Sequence, residues 1–101
     1  MLHGGAAYLH HGSYAPLVGS EFTMDRPGAR TLRMKLVDTK VRPGVGDSFS
    51  LLFRGRRTSG VESGIFRIEH PRMGSFELFL SPVGRGVKGL NLEAVINRIA
   101  T

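Results

Sequence analysis

The chain has 101 residues and a formal net charge of +6, from 14 lysines and arginines against 8 acidic residues. A chain of this length builds one domain with one modest core. It contains no cysteine, which excludes disulfide bridges and thiolate metal sites and leaves stability to that core. Apolar residues make up 41% of the chain and charged residues 22%, proportions that exclude global disorder.

The first residues are rich in glycine, histidine, alanine and tyrosine and show no sustained hydrophobic period. They predict an N-terminal arm over residues 1–15, followed by a single β domain over residues 16–101. Residues 1–13 have no apolar face, so we expect them to order only against a neighbouring chain. His3, His10 and His11 lie in this arm. Neighbouring histidines on a flexible arm usually bind nothing specific, and we expect no metal site.

The same N-terminus lacks the basic region and the apolar run of a signal peptide. No segment approaches the ~18 consecutive apolar residues of a membrane-spanning helix. We therefore expect a soluble protein made in the cytoplasm without a signal peptide.

After the arm, short runs alternate between apolar and polar residues, as half-buried strands do. Breaks rich in glycine and proline separate the runs, at residues 25–29, 42–47, 55–60 and 71–74. The residues predicted to point inward are Leu32, Met34, Leu36, Phe49, Leu51, Phe53, Phe66, Ile68, Phe76, Leu78, Leu80, Leu90, Leu92, Ala94 and Ile96.

This spacing predicts an all-β fold, a small antiparallel barrel or roll of about six strands. The last run, "LNLEAVINRI", leaves two possibilities open. It alternates like a strand, but Leu92, Val95, Ile96 and Ile99 would also lie on one face of a helix.

The stretch from Gly84 to Gly89 spells G-x-G-x-x-G, the pattern of a loop that binds a dinucleotide pyrophosphate. That function requires a βαβ unit of about 30 residues and an acidic residue about 20 positions further on. Only twelve residues follow Gly89. We therefore interpret the stretch as a hairpin connection that presents Arg85 and Lys88, and we expect no cofactor.

Catalytic patterns are absent from the rest of the sequence. Ser48, Ser50, Ser63 and Ser75 have no G-x-S-x-G context, and His70, next to Pro71, fits a turn at a strand end. The acids on predicted strands face solvent by their phase, and no spacing requires two of them to form an acid/base pair; they are Asp38, Glu69, Glu77 and Glu93. We expect neither an enzyme nor a small-molecule substrate.

Positive charge is concentrated in residues 25–60, which carry nine lysines and arginines against three acids. Such a region favours acidic partners, although it can also serve only as solvated strand surface. The densest basic patch is Arg54, Arg56 and Arg57 in "FRGRR". A basic barrel could bind nucleic acid by stacking bases on exposed rings. Most phenylalanines fall in the inward phase of their strands, so only Phe79, Tyr8 and Tyr14 are candidates for such rings. None of these three interleaves with the basic patch in the sequence.

Three strands each carry one apolar residue that is out of phase with the inward set, namely Leu52, Phe79 and Val95. Single exposed hydrophobic residues are normal. Strands packed as consecutive hairpins would bring these three together, and an exposed apolar patch usually marks contact with another chain. They predict an interface for self-association or for a partner protein.

Several stretches, taken together, resemble a bacterial family described as a domain of unknown function. They are "YAPLVGSEFTM", "DSFSLLFRG", "SGIFRIEHPRMGSFELFLSPVG" and "LNLEAVINR", which span about residues 14–98. Phe66 stands where the family usually has tyrosine. The resemblance implies an all-β fold, a strand for the last run and no assigned catalytic residues. It also implies a location near phage-tail-like genes with collar-type fibre domains.

The expected function is a non-catalytic structural or adaptor subunit of a larger, phage-tail-derived assembly, in a homo- or hetero-oligomer. Such a subunit would be incorporated into a phage-like particle. The alternative is a nucleic-acid-binding small β-barrel. A salt titration separates the two, because a protein that neutralises several phosphates loses affinity steeply as salt rises.

Overall fold

A computed structural model describes residues 7–42, 48–56, 61–84 and 89–97. The chain enters through short helical segments: a 3₁₀ turn at Ala7–Leu9, α1 at His11–Tyr14 and a second 3₁₀ turn at Ala15–Leu17. Six strands follow: β1 Glu21–Met24, β2 Leu32–Arg42, β3 Ser48–Gly55, β4 Gly64–His70, β5 Gly74–Val83 and β6 Leu90–Ile96. None of the helices in these ranges is long and apolar enough to cross a membrane.

The six strands form a closed barrel in the order β1-β2-β3-β6-β5-β4, and all neighbouring strands are antiparallel. Two residue pairs between β1 and β4, Thr23 with Glu69 and Met24 with Ile68, close the ring. The all-β prediction of about six antiparallel strands is therefore confirmed as a barrel. The last run is strand β6 rather than a helix, as the resemblance implied.

The interior contains the residues that the alternation predicted. Thirteen of the fifteen are buried, while Phe66 and Leu90 are partly buried and pack against the core. Each strand supplies its inward residues at every second position, because successive side chains of a strand point to opposite faces. The sequence period of two therefore determines which side chains fill the barrel.

A β-bulge in β2 changes this phase. Leu36 lies opposite Phe53, but the next pair along the strands is Asp38 with Leu52, so Val37 is the extra residue. Beyond the bulge, Thr39 lies opposite the buried Leu51 and Asp38 faces solvent. Bulges bend a strand and increase its twist, which helps a small sheet to close on itself.

Tyr14 closes one end of the barrel from outside the sheet. Its side chain is fully buried, and its ring centroid lies 6.4 Å from that of Phe22, 5.7 Å from Phe49 and 6.2 Å from Phe76. The Tyr14 hydroxyl donates a hydrogen bond to the Tyr8 carbonyl at 2.9 Å. Burial raises the pKa of Tyr14 above its ordinary value, with a further contribution from Tyr8, so the phenol remains a neutral donor.

Tyr14 falls within the predicted arm of residues 1–15, yet its side chain is part of the core. The sequence placed this residue in an arm because it has no periodic apolar neighbours, but its ring packs against aromatic residues of three strands. Tyr8 also contacts the core, stacking on Phe76 with ring centroids 5.7 Å apart. Residues 1–6 lie outside the described part of the chain, and the division between arm and domain stays a prediction for them.

Gly84 and Gly89 begin and end the G-x-G-x-x-G stretch, which joins the antiparallel strands β5 and β6. The interpretation as a hairpin connection is therefore confirmed, whereas Arg85 and Lys88 lie outside the described residues. Gly89 has φ of +81°, and a Cβ there would lie 2.7 Å from the Gly55 carbonyl oxygen. Only glycine fits, because both the backbone conformation and the close approach of Gly55 exclude a side chain.

Gly89→Ala should therefore destabilise the protein more than a matched change at Gly74. Gly74 also has positive φ, +77°, but a Cβ there meets nothing within 4 Å. The left-handed conformation costs alanine about 1–2 kcal/mol at either site. The contact with Gly55 should add about 1 kcal/mol or more at Gly89 only. Urea denaturation of both variants measures the difference, and equal losses of unfolding free energy would contradict the close approach.

Candidate functional site

The interior of the barrel is filled, so the chemistry of the molecule lies on its ends and its outer surface. Three places in the described residues combine functional side chains. They are a polar pocket beside His70, a row of exposed apolar residues on β4, β5 and β6, and a cationic cavity on β1, β2 and β3.

His70 is buried at the end of β4 and links two segments of the chain. The Arg72 backbone N–H donates to His70 Nδ1 at 3.0 Å, so Nδ1 is the acceptor nitrogen and Nε2 carries the proton. Nε2 then donates to Ser20 Oγ at 3.0 Å, and Ser20 Oγ donates to the Leu17 carbonyl at 2.6 Å. This relay ties the β4–β5 turn to the segment that precedes β1.

The direction of the hydrogen bonds in this relay determines whether His70 can activate Ser20 as a nucleophile. A serine nucleophile needs an imidazole nitrogen with a free lone pair to take its proton. Here Nε2 donates to Ser20 and the lone pair on Nδ1 is used by Arg72. The pocket beside this pair, a depression of about 700 Å³, also contains Glu21 and Glu69. In this arrangement His70 acts as a turn-stabilising residue, in agreement with its interpretation from the sequence.

Three of the four carboxylates that the sequence predicted to face solvent are exposed. Asp38, Glu69 and Glu77 are exposed and Glu93 is half-buried. Glu77 lies directly opposite Arg67 across β4 and β5, and Glu69 accepts a hydrogen bond from the Ser75 hydroxyl at 3.0 Å. Each of these two acids thus has a polar or cationic neighbour rather than a second carboxylate directly across the sheet.

The predicted interface residues lie on the outer surface. Phe79 on β5 is 57% exposed and Val95 on β6 is 41% exposed. Ser81 pairs with Glu93 across these strands. Phe79 lies two residues before Ser81 and Val95 two residues after Glu93, so both side chains are on the same face as that pair. The two side chains therefore belong to one row across the sheet.

Sequence reasoning missed the third member of this row. Ile65 on β4 lies directly opposite Phe79 and is 69% exposed. Its position follows from the phase that sets Phe66 and Ile68 inward, so the same argument would have found it. We call Ile65, Phe79 and Val95 the apolar row.

Leu52 lies at the edge of the apolar row rather than within it. It is half-buried on β3, opposite Asp38 on one side and Glu93 on the other. Val95 is its diagonal neighbour, since Val95 pairs with Ser50. Charged residues thus surround most of Leu52, and the centre of the exposed apolar surface lies on β5.

In the structure, the predicted basic patch forms part of a cavity lined by further cationic side chains. Arg54 and Arg56 line a cavity of about 780 Å³ on the outer face of β1, β2 and β3, and Arg57 lies outside the described residues. Four further cations line the same cavity: Arg26, Arg30, Arg33 and Lys35. The sequence showed the basic excess over residues 25–60 but not this grouping, which depends on how β2 pairs with β3. We call it the cationic cavity.

The candidate stacking rings do not lie in the cationic cavity. Tyr14 is fully buried in the core, Tyr8 packs on Phe76, and Phe79 belongs to the apolar row. None of the described residues that line the cavity is aromatic. Tyr14 is therefore not available as a stacking ring, and the described lining of the cavity offers cations without aromatic side chains.

His11, one of the histidines of the predicted arm, contacts two strands of the barrel. Its Nε2 lies 2.9 Å from Thr39 Oγ1, and its ring packs edge-on against Phe49 with centroids 5.6 Å apart. These contacts hold α1 against β2 and β3. His3 lies outside the described residues.

The relay through His70 predicts a loss of stability in mild acid. Burial, and next the charge of Arg72, lower the pKa of His70 from its ordinary value of 6.5. The unfolded chain then binds the proton at higher pH than the folded chain does. The contribution of neutral His70 to the unfolding free energy should be fully present above pH 6.5. It should be lost as the pH drops through the lowered pKa of the folded state.

His70→Gln removes this titration and keeps a side-chain amide that can donate to Ser20. Its unfolding free energy should decline less than that of the wild type as the pH falls below 6.5. NMR titration of the His70 ring gives the pKa directly, and urea denaturation across the same pH range gives the stability. A His70 pKa at or above its ordinary value, or identical pH profiles for the two proteins, would contradict the relay.

Of the comparisons with known proteins, only the comparison with family models gives a match. No curated protein and no solved structure matches the chain. A family model described as a domain of unknown function (DUF6916) matches residues 9–96. That match includes Tyr14, the whole barrel, the apolar row and the described cations of the cavity. The chain therefore belongs to the family of the domain of unknown function DUF6916.

Proposed function

We propose that this protein is a non-catalytic structural or adaptor subunit that assembles with further copies of itself through the apolar row. The observation that carries the proposal is the alignment of Ile65, Phe79 and Val95 on three neighbouring strands, with exposed fractions of 69%, 57% and 41%. Other exposed hydrophobic residues, such as Val18 and Val41, lie apart from this row and need no special explanation.

The charges beside the apolar row favour a second copy as the occupant. Arg67 and Glu77 form the neighbouring outward pair on β4 and β5, so a cation and an anion flank the same edge of the row. A surface that carries both signs is complementary to itself under a twofold rotation, which can bring each Arg67 to the Glu77 of the other copy.

The apolar row has the composition of an interface centre. Stable interfaces bury roughly 800 Å² on each partner, and most of their binding energy comes from a few well-packed apolar or aromatic residues near the middle. Phe79 has this central position, between Ile65 and the strand of Val95. Polar residues around the row would then form the rim.

The family that the sequence resembles is associated with phage-tail-type genes. Particles of that kind assemble from repeated copies of small subunits, and this supports the proposal that the assembly is phage-tail-derived. The support is by association with genes rather than by the chemistry of a site.

Phe79→Asp should dissociate the assembly while the fold is retained, because Phe79 contributes little to the core and a buried carboxylate is costly in an apolar interface. Val41→Asp is the matched control: Val41 is 61% exposed on β2, away from the row. Light scattering over a concentration series should give multiples of the chain mass for the wild type and Val41→Asp. Phe79→Asp should give the mass of one chain at the same concentrations.

Circular dichroism and thermal denaturation show whether each variant is folded. If Phe79→Asp does not fold, Ile65→Asp provides the second test, since Ile65 is the most exposed residue of the row. A wild type that keeps the mass of one chain at every concentration would overturn assembly with further copies. So would a folded Phe79→Asp variant whose mass equals that of the wild type.

A further inference from the structure

The cationic cavity lies on the side of the barrel opposite the apolar row. In the closed order β1-β2-β3-β6-β5-β4, β2 at the centre of the cavity and β5 at the centre of the row lie three strands apart in either direction. Six cationic side chains line the cavity, and Glu21 is the single acid among its described lining residues. The described lining of the cavity therefore carries a large net positive charge.

The pairing of the strands sets like charges directly opposite each other. Lys35 on β2 lies between Glu21 on β1 and Arg54 on β3, and the side chains of Lys35 and Arg54 are exposed. Directly opposed like charges destabilise a sheet. On β4 and β5, by contrast, opposite charges meet: Arg67 lies opposite Glu77, and its Nε is 3.8 Å from Glu69 Oε2. The like-charged pair of Lys35 and Arg54 lies in the cavity, where a bound anion would relieve their repulsion.

Two of the arginines are held in position by the fold. Arg54 Nε donates to Asn91 Oδ1 at 2.9 Å, and Asn91 is buried. Arg26 Nε donates to the Arg30 carbonyl at 2.9 Å and so stabilises the β1–β2 turn. Ordering of a cationic side chain before a ligand arrives lowers the entropy that binding would cost. The cavity therefore has the features of a preorganised anion site.

The composition of the cavity identifies the class of anion. Five of the six cations are arginines, and the planar guanidinium matches phosphate and carboxylate oxygens in pairs. An extended acidic peptide would gain main-chain hydrogen bonds at a free strand edge, but each strand of the closed barrel already has two neighbours. A phosphodiester backbone needs only the charges.

We propose that the cationic cavity binds the phosphodiester backbone of nucleic acid without preference for base sequence. The absence of aromatic residues among the described lining residues favours contact with the backbone rather than stacking on bases. Contacts with phosphates carry no direct sequence information, so no base preference is expected. This activity is independent of the apolar row, so a subunit could bind nucleic acid on one side and further copies on the other.

Fluorescence anisotropy with labelled oligothymidine, a mixed-sequence single strand and a duplex tests the proposal over a series of salt concentrations. The wild type should bind all three, with affinity falling steeply as salt rises. In Arg33→Ala/Lys35→Ala, the slope of log affinity against log salt for single strands should become shallower by about 1.4, or about 0.7 for each lost phosphate contact. These two exposed side chains lie on β2.

Lys40→Ala/Arg42→Ala is the matched control, since it also removes one lysine and one arginine from exposed positions on β2, outside the described lining of the cavity. The control should keep the wild-type slope, and circular dichroism should show that both variants are folded. The proposal is overturned if the wild type binds none of the probes at low salt, or if both double variants lose the same slope. Tighter binding of labelled polyglutamate than of the nucleic acids would also overturn it, in favour of an acidic protein partner.

Discussion

The structure depends on how the end of the barrel is closed. A six-stranded barrel has an interior that side chains must fill without voids, because protein interiors are packed as densely as organic crystals. The sheet supplies most of this filling, but Tyr14 supplies the last part from a helical segment outside the sheet. Its ring contacts inward aromatic residues of β1, β3 and β5, and its hydroxyl bonds the Tyr8 carbonyl. The entering segment is therefore part of the core.

Because side chains fill the interior, contacts with other molecules are left to the outward-facing side chains. Each outward row joins residues from neighbouring strands, so the barrel order decides which side chains meet. On β4, β5 and β6 this order aligns exposed apolar residues, and on β1, β2 and β3 it gathers cations around Lys35 and Arg54. The two surfaces lie on opposite sides, an arrangement that suits a small subunit in a larger assembly.

Much of the barrel could be predicted from the sequence because strand burial has a period of two. The inward set from Leu32 to Ile96, the hairpin connection before Gly89 and the exposure of Phe79 follow from local patterns. Tyr14 could not be placed in this way, since its burial depends on contacts with distant strands. The juxtaposition of Lys35 with Arg54 depends on strand register, which local alternation alone does not determine.

The most direct test of the closed barrel end is residue-resolved amide hydrogen exchange on the isolated chain. The Gly19 N–H is bonded to the Leu36 carbonyl at 2.7 Å, and the Ser13 N–H to the His10 carbonyl at 3.0 Å. If Tyr14 is part of the core, both amides should be protected in the single chain, and Tyr14→Ala should abolish that protection. Exchange at the rate of an unstructured peptide over residues 13–19, while the strands stay protected, would contradict this account.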